Sequence, residues 1–215
     1  RFYNFYTFIW PDEMKTIYVR VYNQGQTLQI PFSACPPEKY NLTEYKSNLI
    51  NGIIYGLFVF VMFFVVFLLF TIKDKVYLYY LFYVLSVTLF LFSIDGYSFE
   101  FLWPNSPWWN NHSLTLFITI AALSFLLVSK HYMKLKDQHP GINKLFNVLI
   151  LFSILISPSF LLNEPGFVIY TKVNSIFSAI VILTCLGFSV YTTYKNKEKY
   201  SFLILGLLLL VGGVI

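Results

Sequence analysis

The feature that most restricts how this chain can fold is a series of long apolar runs that begins at Asn51. The first run, GIIYGLFVFVMFFVVFLLFTI, contains no charged residue. A helix of about 20 residues, at about 1.5 Å per residue, crosses a hydrocarbon core of about 30 Å. Because lipid cannot hydrogen-bond to the backbone, repeated runs of this length predict a polytopic helical bundle. The predicted membrane helices are 51–72, 77–94, 113–132, 145–162, 168–191 and 200–215.

The composition agrees with a chain whose main solvent is lipid. Hydrophobic residues make up 57% of the sequence and charged residues 12%, outside the ranges usual for soluble domains. The formal net charge is +5, but the lysines fall in short clusters between the apolar runs. Since they do not form one basic surface, a nucleic-acid partner is not expected.

Residues 1–35 differ from the rest of the chain. Short runs rich in Tyr, Phe, Thr, Val and Ile alternate partly with polar residues, and turn-forming segments such as PDEMK and QGQ separate them. This pattern predicts successive β-strands. Because so few strands cannot close a sandwich, we expect them to be the C-terminal strands of a larger extracytoplasmic β-sandwich domain. Residues 36–50, which begin with two prolines, are the predicted linker to the membrane bundle at 51–215.

The distribution of lysines predicts the orientation in the membrane. Among the loops and helix ends near the membrane, nine lysines fall on one side of the predicted bundle and three on the other. The larger group is Lys73, Lys75, Lys130, Lys134, Lys136, Lys144, Lys195, Lys197 and Lys199, and the smaller group is Lys39, Lys46 and Lys172. Short loops rich in Lys and Arg usually face the cytoplasm. Residues 1–50 and the connector between the second and third helices are therefore predicted to face outward.

That connector, SIDGYSFEFLWPNSPWWNNHS at 93–113, contains three tryptophans and no Lys or Arg; we call it the Trp-rich connector. Indole rings prefer the headgroup boundary, so one interpretation is an aromatic belt that anchors the bundle. The functional alternative is a ledge, stiffened by Pro104 and Pro107, on which the outer domain docks. The candidate coupling residues are Asp95, Glu100, Trp103, Pro104, Trp108 and His112, together with Lys172 on the same side of the bundle.

Asp95 and Glu100 are carboxylates in a connector that has no cation of its own. Lys172, in the first turn of the predicted fifth helix, is the nearest candidate for an ion pair with either of them. The alternative is that its ammonium group extends to the lipid headgroups. His112 could sense protons, since its reference pKa lies close to physiological pH, or it could be a solvated loop residue.

The sequence offers no catalytic, metal or cofactor site. His112, His131 and His139 lack the spacing of metal ligands. The predicted helix interiors carry no Asp, Glu, Lys or Arg, the groups that mark substrate or ion routes in transporters and pumps. No Ser-His-Asp constellation and no Gly-rich phosphate loop is found either, so no catalytic residue is assigned and the chain is not expected to be an enzyme.

Several phrases resemble the membrane region of bacterial seven-transmembrane receptors with diverse intracellular signalling modules, the 7TMR-DISM family. They are GIIYG at the start of the first helix, KDKVYLYYLFY, DGYSFEFLWPNSPWWNNH and SKHYMKLKDQHPGINKLF. The resemblance extends from Asn51 to the end of the chain. The preceding segment TIYVRVYNQGQTLQIPFS is similar to the end of that family's periplasmic β-jelly-roll module, which is itself similar to carbohydrate-binding domains.

The resemblance implies a mainly α membrane protein, with six helices of an expected seven, preceded by the last strands of a β-jelly-roll domain. It implies a receptor of the bacterial cytoplasmic membrane that relays ligand sensing to a cytoplasmic output domain beyond the sixth run. Family outputs include histidine kinases, nucleotide cyclases and phosphatases. The expected partners are the lipid bilayer, a carbohydrate or other small ligand at the outer domain, the cytoplasmic signalling domain and, in a homodimer, a second copy of the chain.

Two other classes of function fit the same residues. The first is a polytopic transporter or membrane enzyme subunit, which uptake into vesicles or an ionisable pair at bilayer depth would favour. A membrane-anchored adhesin or scaffold would not need a cytoplasmic output at all. The receptor is the leading hypothesis because it is what the family resemblance implies.

Overall fold

The computed structural model describes residues 37–163 and 165–196, together with Thr16 and Tyr18. The predicted β-strands of 1–35 and the predicted helix 200–215 lie outside this part of the chain. In chain order the helices are α1 Pro37–Ile72, α2 Lys75–Ile94, α3 Pro107–Tyr132, α4 Leu135–Gln138, α5 Pro140–Ile156 and α6 Gly166–Asn196. A π-helical turn, Ser98–Leu102, lies between α2 and α3, and a 3₁₀ turn, Ser157–Leu161, follows α5.

Five helices in the described residues are long and apolar enough to cross a membrane: α1, α2, α3, α5 with its 3₁₀ turn, and α6. This confirms the predicted polytopic helical bundle. The observed bounds differ most at α1, which begins at Pro37 rather than at 51, and α3 also begins earlier, at Pro107 rather than at 113. A proline is well suited to the first turn of a helix, where its missing N–H has no helical partner.

The first helix is longer than the apolar run that predicted it. Residues 36–50 were expected to form a linker, and from Pro37 onward they are the beginning of α1. After Pro37 this stretch contains Glu, Lys and Leu and neither Gly nor Pro, so helix formation is favoured. The polar part up to Asn51 extends about 20 Å at about 1.5 Å per residue. This polar part of α1 therefore extends out of the apolar region of the bundle, which begins at Gly52.

The bundle is organised around α3. This helix packs against α2, α5 and α6, whereas α2 is the only helix in the described part of the chain that α1 packs against. Apolar side chains from α3, α4, α5 and α6, together with Met133, form the core. They include Leu126 of α3, Phe146 of α5 and Val181 and Cys185 of α6, all almost fully buried. Many large apolar side chains elsewhere on the helices are exposed, as expected for a surface that contacts lipid.

The connections between helices define two ends of the bundle. The Trp-rich end contains the Trp-rich connector and the turn before α6, and the lysine-rich end contains residues 73–75 and 130–139. At the lysine-rich end Asp74 caps α2 by accepting a hydrogen bond of 2.9 Å from the N–H of Val76. At the Trp-rich end Gly96 has φ 80°, a left-handed conformation that lets the chain leave α2 without a clash of Cβ.

Candidate functional site

The Trp-rich connector is joined to the part of α1 that enters the membrane. The hydroxyl of Tyr55 donates a hydrogen bond to Oδ2 of Asp95, the residue that follows α2. Asn51 Nδ2 donates to the hydroxyl of Tyr97 over 3.2 Å, and this hydroxyl donates to Oδ1 of Asn48 over 2.9 Å. We call these five residues the α1 clasp. The three from α1 share one face of the helix because they are spaced by three and four residues.

Aromatic rings fill the space inside the α1 clasp. The ring of Tyr55 meets those of Phe92 and Tyr97 edge-on, with centroids 5.1 and 5.8 Å apart. Phe92 and Tyr97 are themselves 5.4 Å apart, and Phe101 stacks on Tyr97 at 6.3 Å. Such separations are favourable for aromatic pairs. The hydrogen bonds of the clasp are therefore supported by a packed cluster of rings.

Trp103 is held against the first turns of α3. Its Nε1 donates to Oδ1 of Asn110 over 3.2 Å, and the buried Ser98 donates to the same oxygen over 3.3 Å. The Trp103 ring lies 6.2 Å from that of Trp109 and 6.3 Å from that of Phe117. Both ends of the π-helical turn are thereby fixed to α3, since Ser98 begins it and Trp103 follows it.

His112 connects the Trp-rich connector to α6. Its ring stacks on Trp108 with a centroid distance of 4.4 Å, and it lies 3.9 Å from the ring of Phe167 in the first turn of α6. Nδ1 of His112 is 2.7 Å from the backbone oxygen of Trp108. The imidazole is thus placed between two aromatic rings.

Below the connector, polar side chains link α3 to α6 inside the bundle. Thr119 donates to Oδ1 of Asn174 over 3.1 Å and its oxygen is 2.9 Å from the hydroxyl of Tyr170. Asn174 Nδ2 donates to the backbone oxygen of Thr115 over 3.1 Å. These four residues, the α3–α6 polar cluster, are each at most 3% exposed. Between membrane helices, mutual hydrogen bonds of this kind stabilise one relative position of the two helices.

The family comparison agrees with this architecture. Residues 47–215, more than half of the chain, match the family model described as 7TM diverse intracellular signalling. The chain belongs to this family. It is a multi-pass membrane protein of the 7TM diverse intracellular signalling type, as the resemblance predicted. No curated protein and no solved structure matches the chain significantly.

In this 7TM diverse intracellular signalling protein, the predicted candidate residues fall into separate positions. Asp95 lies in the α1 clasp, Trp103 packs on α3, and Trp108 and His112 stack beside α6. Among the described residues, the side chain bonded to Asp95 is Tyr55. Glu100 is half-buried within the π-helical turn, while Pro104 and Lys172 are exposed. The structure therefore brings most of the connector residues against helices instead of leaving them as a free surface.

Sequence reasoning missed the α1 partners of the clasp and the α3–α6 polar cluster. Asn48, Asn51 and Tyr55 were assigned partly to the linker, so their common helical face was not considered. In α3 and α6 the signal was a spacing of four residues between Thr115 and Thr119 and again between Tyr170 and Asn174. Such a spacing puts both members on one face. None of these side chains carries a formal charge. They were missed because only charged residues were expected to mark a functional site at bilayer depth.

Proposed function

We propose that this chain is the membrane core of a signal-transducing receptor of the bacterial cytoplasmic membrane. In this proposal the segment before α1 belongs to an extracytoplasmic domain that senses a carbohydrate or other small ligand. The helices relay the change to a cytoplasmic output domain beyond the chain. The lysine count of nine against three supports an orientation with the Trp-rich end outside.

The observation that carries the proposal is the α1 clasp. α1 is one continuous helix from Pro37 to Ile72, so a movement of its polar N-terminal part is transmitted along the helix to Tyr55. Tyr55 and Asn51 contact Asp95 and Tyr97 of the connector through directional hydrogen bonds. A change in the outer domain would therefore reach the connector at a defined point.

From the connector, two sets of contacts lead to α6, the last helix described. His112 touches Phe167 at the beginning of α6, and the α3–α6 polar cluster lies about one to two turns further along that helix. Hydrogen-bonded clusters and packed rings favour discrete arrangements over continuous deformation, which is what a two-state relay requires. Because α1 packs on α2 alone among the described helices, it can change position without disturbing the core around α3.

The proposal is tested with Tyr55→Phe in the full-length receptor. This change keeps the ring packing and removes the hydroxyl that binds Asp95, so we expect the basal output to change by several-fold at an unchanged membrane level. The output is measured in membrane vesicles as autophosphorylation or cyclic nucleotide formation, according to the domain that the full-length chain carries. Tyr45→Phe, at an exposed position on the same helix, is the matched control.

Two results would count against a receptor. The first is an output that is the same in the wild type, in Tyr55→Phe and in an Asp95→Asn variant. The second is solute uptake by vesicles that contain the chain without any output domain, which would favour the transporter alternative.

A further inference from the structure

The lysine-rich end contains a cavity of about 600 Å³ that the signalling proposal does not use. It lies between the first turns of α2, the last turn of α3 and the short helix α4. Among the described residues, the charged side chains of its lining are Lys130, Lys134, Lys136 and Asp74, and His131 also lines it. Three lysines thus surround a space whose volume is within the range of small-ligand sites, about 300–1,000 Å³.

The chain between α3 and α5 presents two of these lysines from a fixed backbone. Met133 and Leu135 are almost fully buried, with 1% and 0% of their surface exposed, and they belong to the apolar core. Lys134 and Lys136 alternate with them and are exposed. Lys134 has φ 47°, a left-handed conformation that is uncommon for residues other than Gly, Asn and Asp. The buried neighbours hold this conformation, so both ammonium groups are carried by an anchored segment rather than by a loose loop.

The carboxylate of Asp74, which lines the cavity, already has partners within the protein. Asp74 is the one carboxylate among the described residues of the lining. Its Oδ1 accepts the capping hydrogen bond from Val76 and lies 3.5 Å from Nε2 of His131. Lys130 donates to Oδ1 of Asn147 in α5, a residue that does not line the cavity. The described residues of the lining therefore carry a net positive charge, and at short range in a partly enclosed site this charge attracts anions.

The position of the cavity indicates which anions can reach it. α1 ends at Ile72, α2 begins at Lys75 and α3 ends at Tyr132, so the cavity opens at the level where the apolar spans stop. The phosphates of a bilayer lie at this level. Leu127 and Tyr79 also contribute to the lining, so a ligand with an apolar part next to its charge is accommodated.

We propose that this cavity binds a phosphate group, with Lys134 and Lys136 as its principal ligands. Two sources of this group have the required chemistry: the headgroup of an anionic phospholipid and a soluble phosphate compound. The location at the edge of the apolar spans favours the phospholipid. Basic pockets between membrane helices are suited to such headgroups because several lysines can share one phosphodiester.

The test compares two double variants of equal charge. Lys134→Gln with Lys136→Gln removes both ligands from the cavity, while Lys73→Gln with Lys144→Gln removes two lysines of the same end that do not line it. The full 215-residue chain is purified in a neutral detergent and titrated with phosphatidylglycerol, phosphatidylcholine or inorganic phosphate. The midpoint of thermal unfolding is followed, since a ligand that binds the folded state raises it.

We expect phosphatidylglycerol to raise the unfolding midpoint of the wild type and of the Lys73/Lys144 variant, and phosphatidylcholine to have little effect. In the Lys134/Lys136 variant the apparent Kd for phosphatidylglycerol is expected to rise roughly 30-fold, because each lysine near an anionic headgroup contributes roughly fivefold. If inorganic phosphate gives the same lysine-dependent shift at millimolar concentration, the site is supported and its ligand is a soluble phosphate. Equal responses of both double variants and the wild type to all three probes would overturn the proposal.

Asp74→Asn provides a test that a folding defect cannot imitate. Asparagine retains the helix cap but removes the negative charge from the lining, so we expect binding of phosphatidylglycerol to become several-fold tighter than in the wild type. Unchanged or weaker binding in this variant, with an unfolding midpoint near that of the wild type in the absence of lipid, would contradict the electrostatic basis of the site.

Discussion

Thr119 of α3 donates a hydrogen bond to Asn174 of α6 across 3.1 Å in the interior of the bundle. Each side chain is 1% exposed, so neither can exchange this bond for one with water. Asn174 also donates to the backbone of α3 at Thr115, so this one side chain bonds to α3 at two points.

Replacement of this asparagine tests the importance of the α3–α6 polar cluster. Asn174→Ala leaves the hydroxyl of Thr119 and the carbonyl of Thr115 with fewer partners. We expect the free energy of unfolding in detergent micelles to fall by about 1–2 kcal/mol, near the upper range for hydrogen bonds between membrane helices. Ser175→Ala is the matched control, because Ser175 is exposed and bonds only within its own helix in the described structure. Equal stability of the two variants would show that the cluster does not hold α3 to α6.

The orientation of the bundle can be measured by labelling introduced cysteines. Asn105 is exposed in the Trp-rich connector and Lys144 is exposed at the lysine-rich end. In a Cys35→Ser background, with Cys185 buried, we expect an impermeant maleimide to label Asn105→Cys in intact cells. Lys144→Cys should be labelled only after the membrane is permeabilised. The reverse pattern would place the Trp-rich end in the cytoplasm and would contradict the proposed receptor topology.

The two candidate tryptophans are expected to differ in their contribution to stability. Trp103 packs against Trp109 and Phe117 and donates to Asn110, whereas Trp108 is 47% exposed. We expect Trp103→Ala to lower the free energy of unfolding by about 2 kcal/mol, somewhat below the range for fully buried aromatic residues. Trp108→Ala should lower it by about half as much or less. Thermal unfolding in one detergent measures both, and a larger loss for Trp108→Ala would refute this account of the connector.

A pair of glycine substitutions tests the backbone of the connector. Gly96 has φ 80°, so Gly96→Ala introduces a Cβ where the left-handed conformation disfavours it, and we expect a destabilisation of about 1 kcal/mol. Gly187 lies inside α6, and a Cβ added there would meet no neighbouring atom within 4 Å apart from the backbone of its own helix. Gly187→Ala should therefore leave stability unchanged or raise it by up to about 1 kcal/mol. Chemical denaturation measures the free energy of unfolding of both variants, which should fall for Gly96→Ala and stay the same or rise for Gly187→Ala. A rise for Gly96→Ala would contradict the left-handed conformation at this turn.

The membrane helices could be predicted from the sequence because their length and apolar content are determined by the thickness of the bilayer. Their ends could be predicted less well. Pro36 and Pro37 were interpreted as an interruption between domains, but a proline in the first turn does not prevent a helix from continuing after it. The π-helical turn also escaped prediction, since the hydrogen bond of 3.0 Å from the Trp103 N–H to the Ser98 carbonyl depends on how the connector closes on α3.

The residues of the candidate site could also be predicted only in part. Asp95, Trp103 and His112 could be selected because charge and aromatic content are visible in a sequence. Their partners Tyr55, Asn110 and Phe167 lie at least seven positions away along the chain, and only the packing of the helices determines these pairs.

The length of α1 has a geometric consequence. A rigid helix that is fixed near Tyr55 and extends about 20 Å above the apolar core acts as a lever arm. From Tyr55 to Pro37 the helix measures about 27 Å, so a tilt of about 10° at this pivot displaces its tip by about 5 Å. In the proposed receptor, a rearrangement of a few ångströms in the domain before α1 corresponds to a small rotation where the α1 clasp lies. A movement of the outer tip of α1 is converted in this way into a smaller change in side-chain geometry where the helix enters the bilayer.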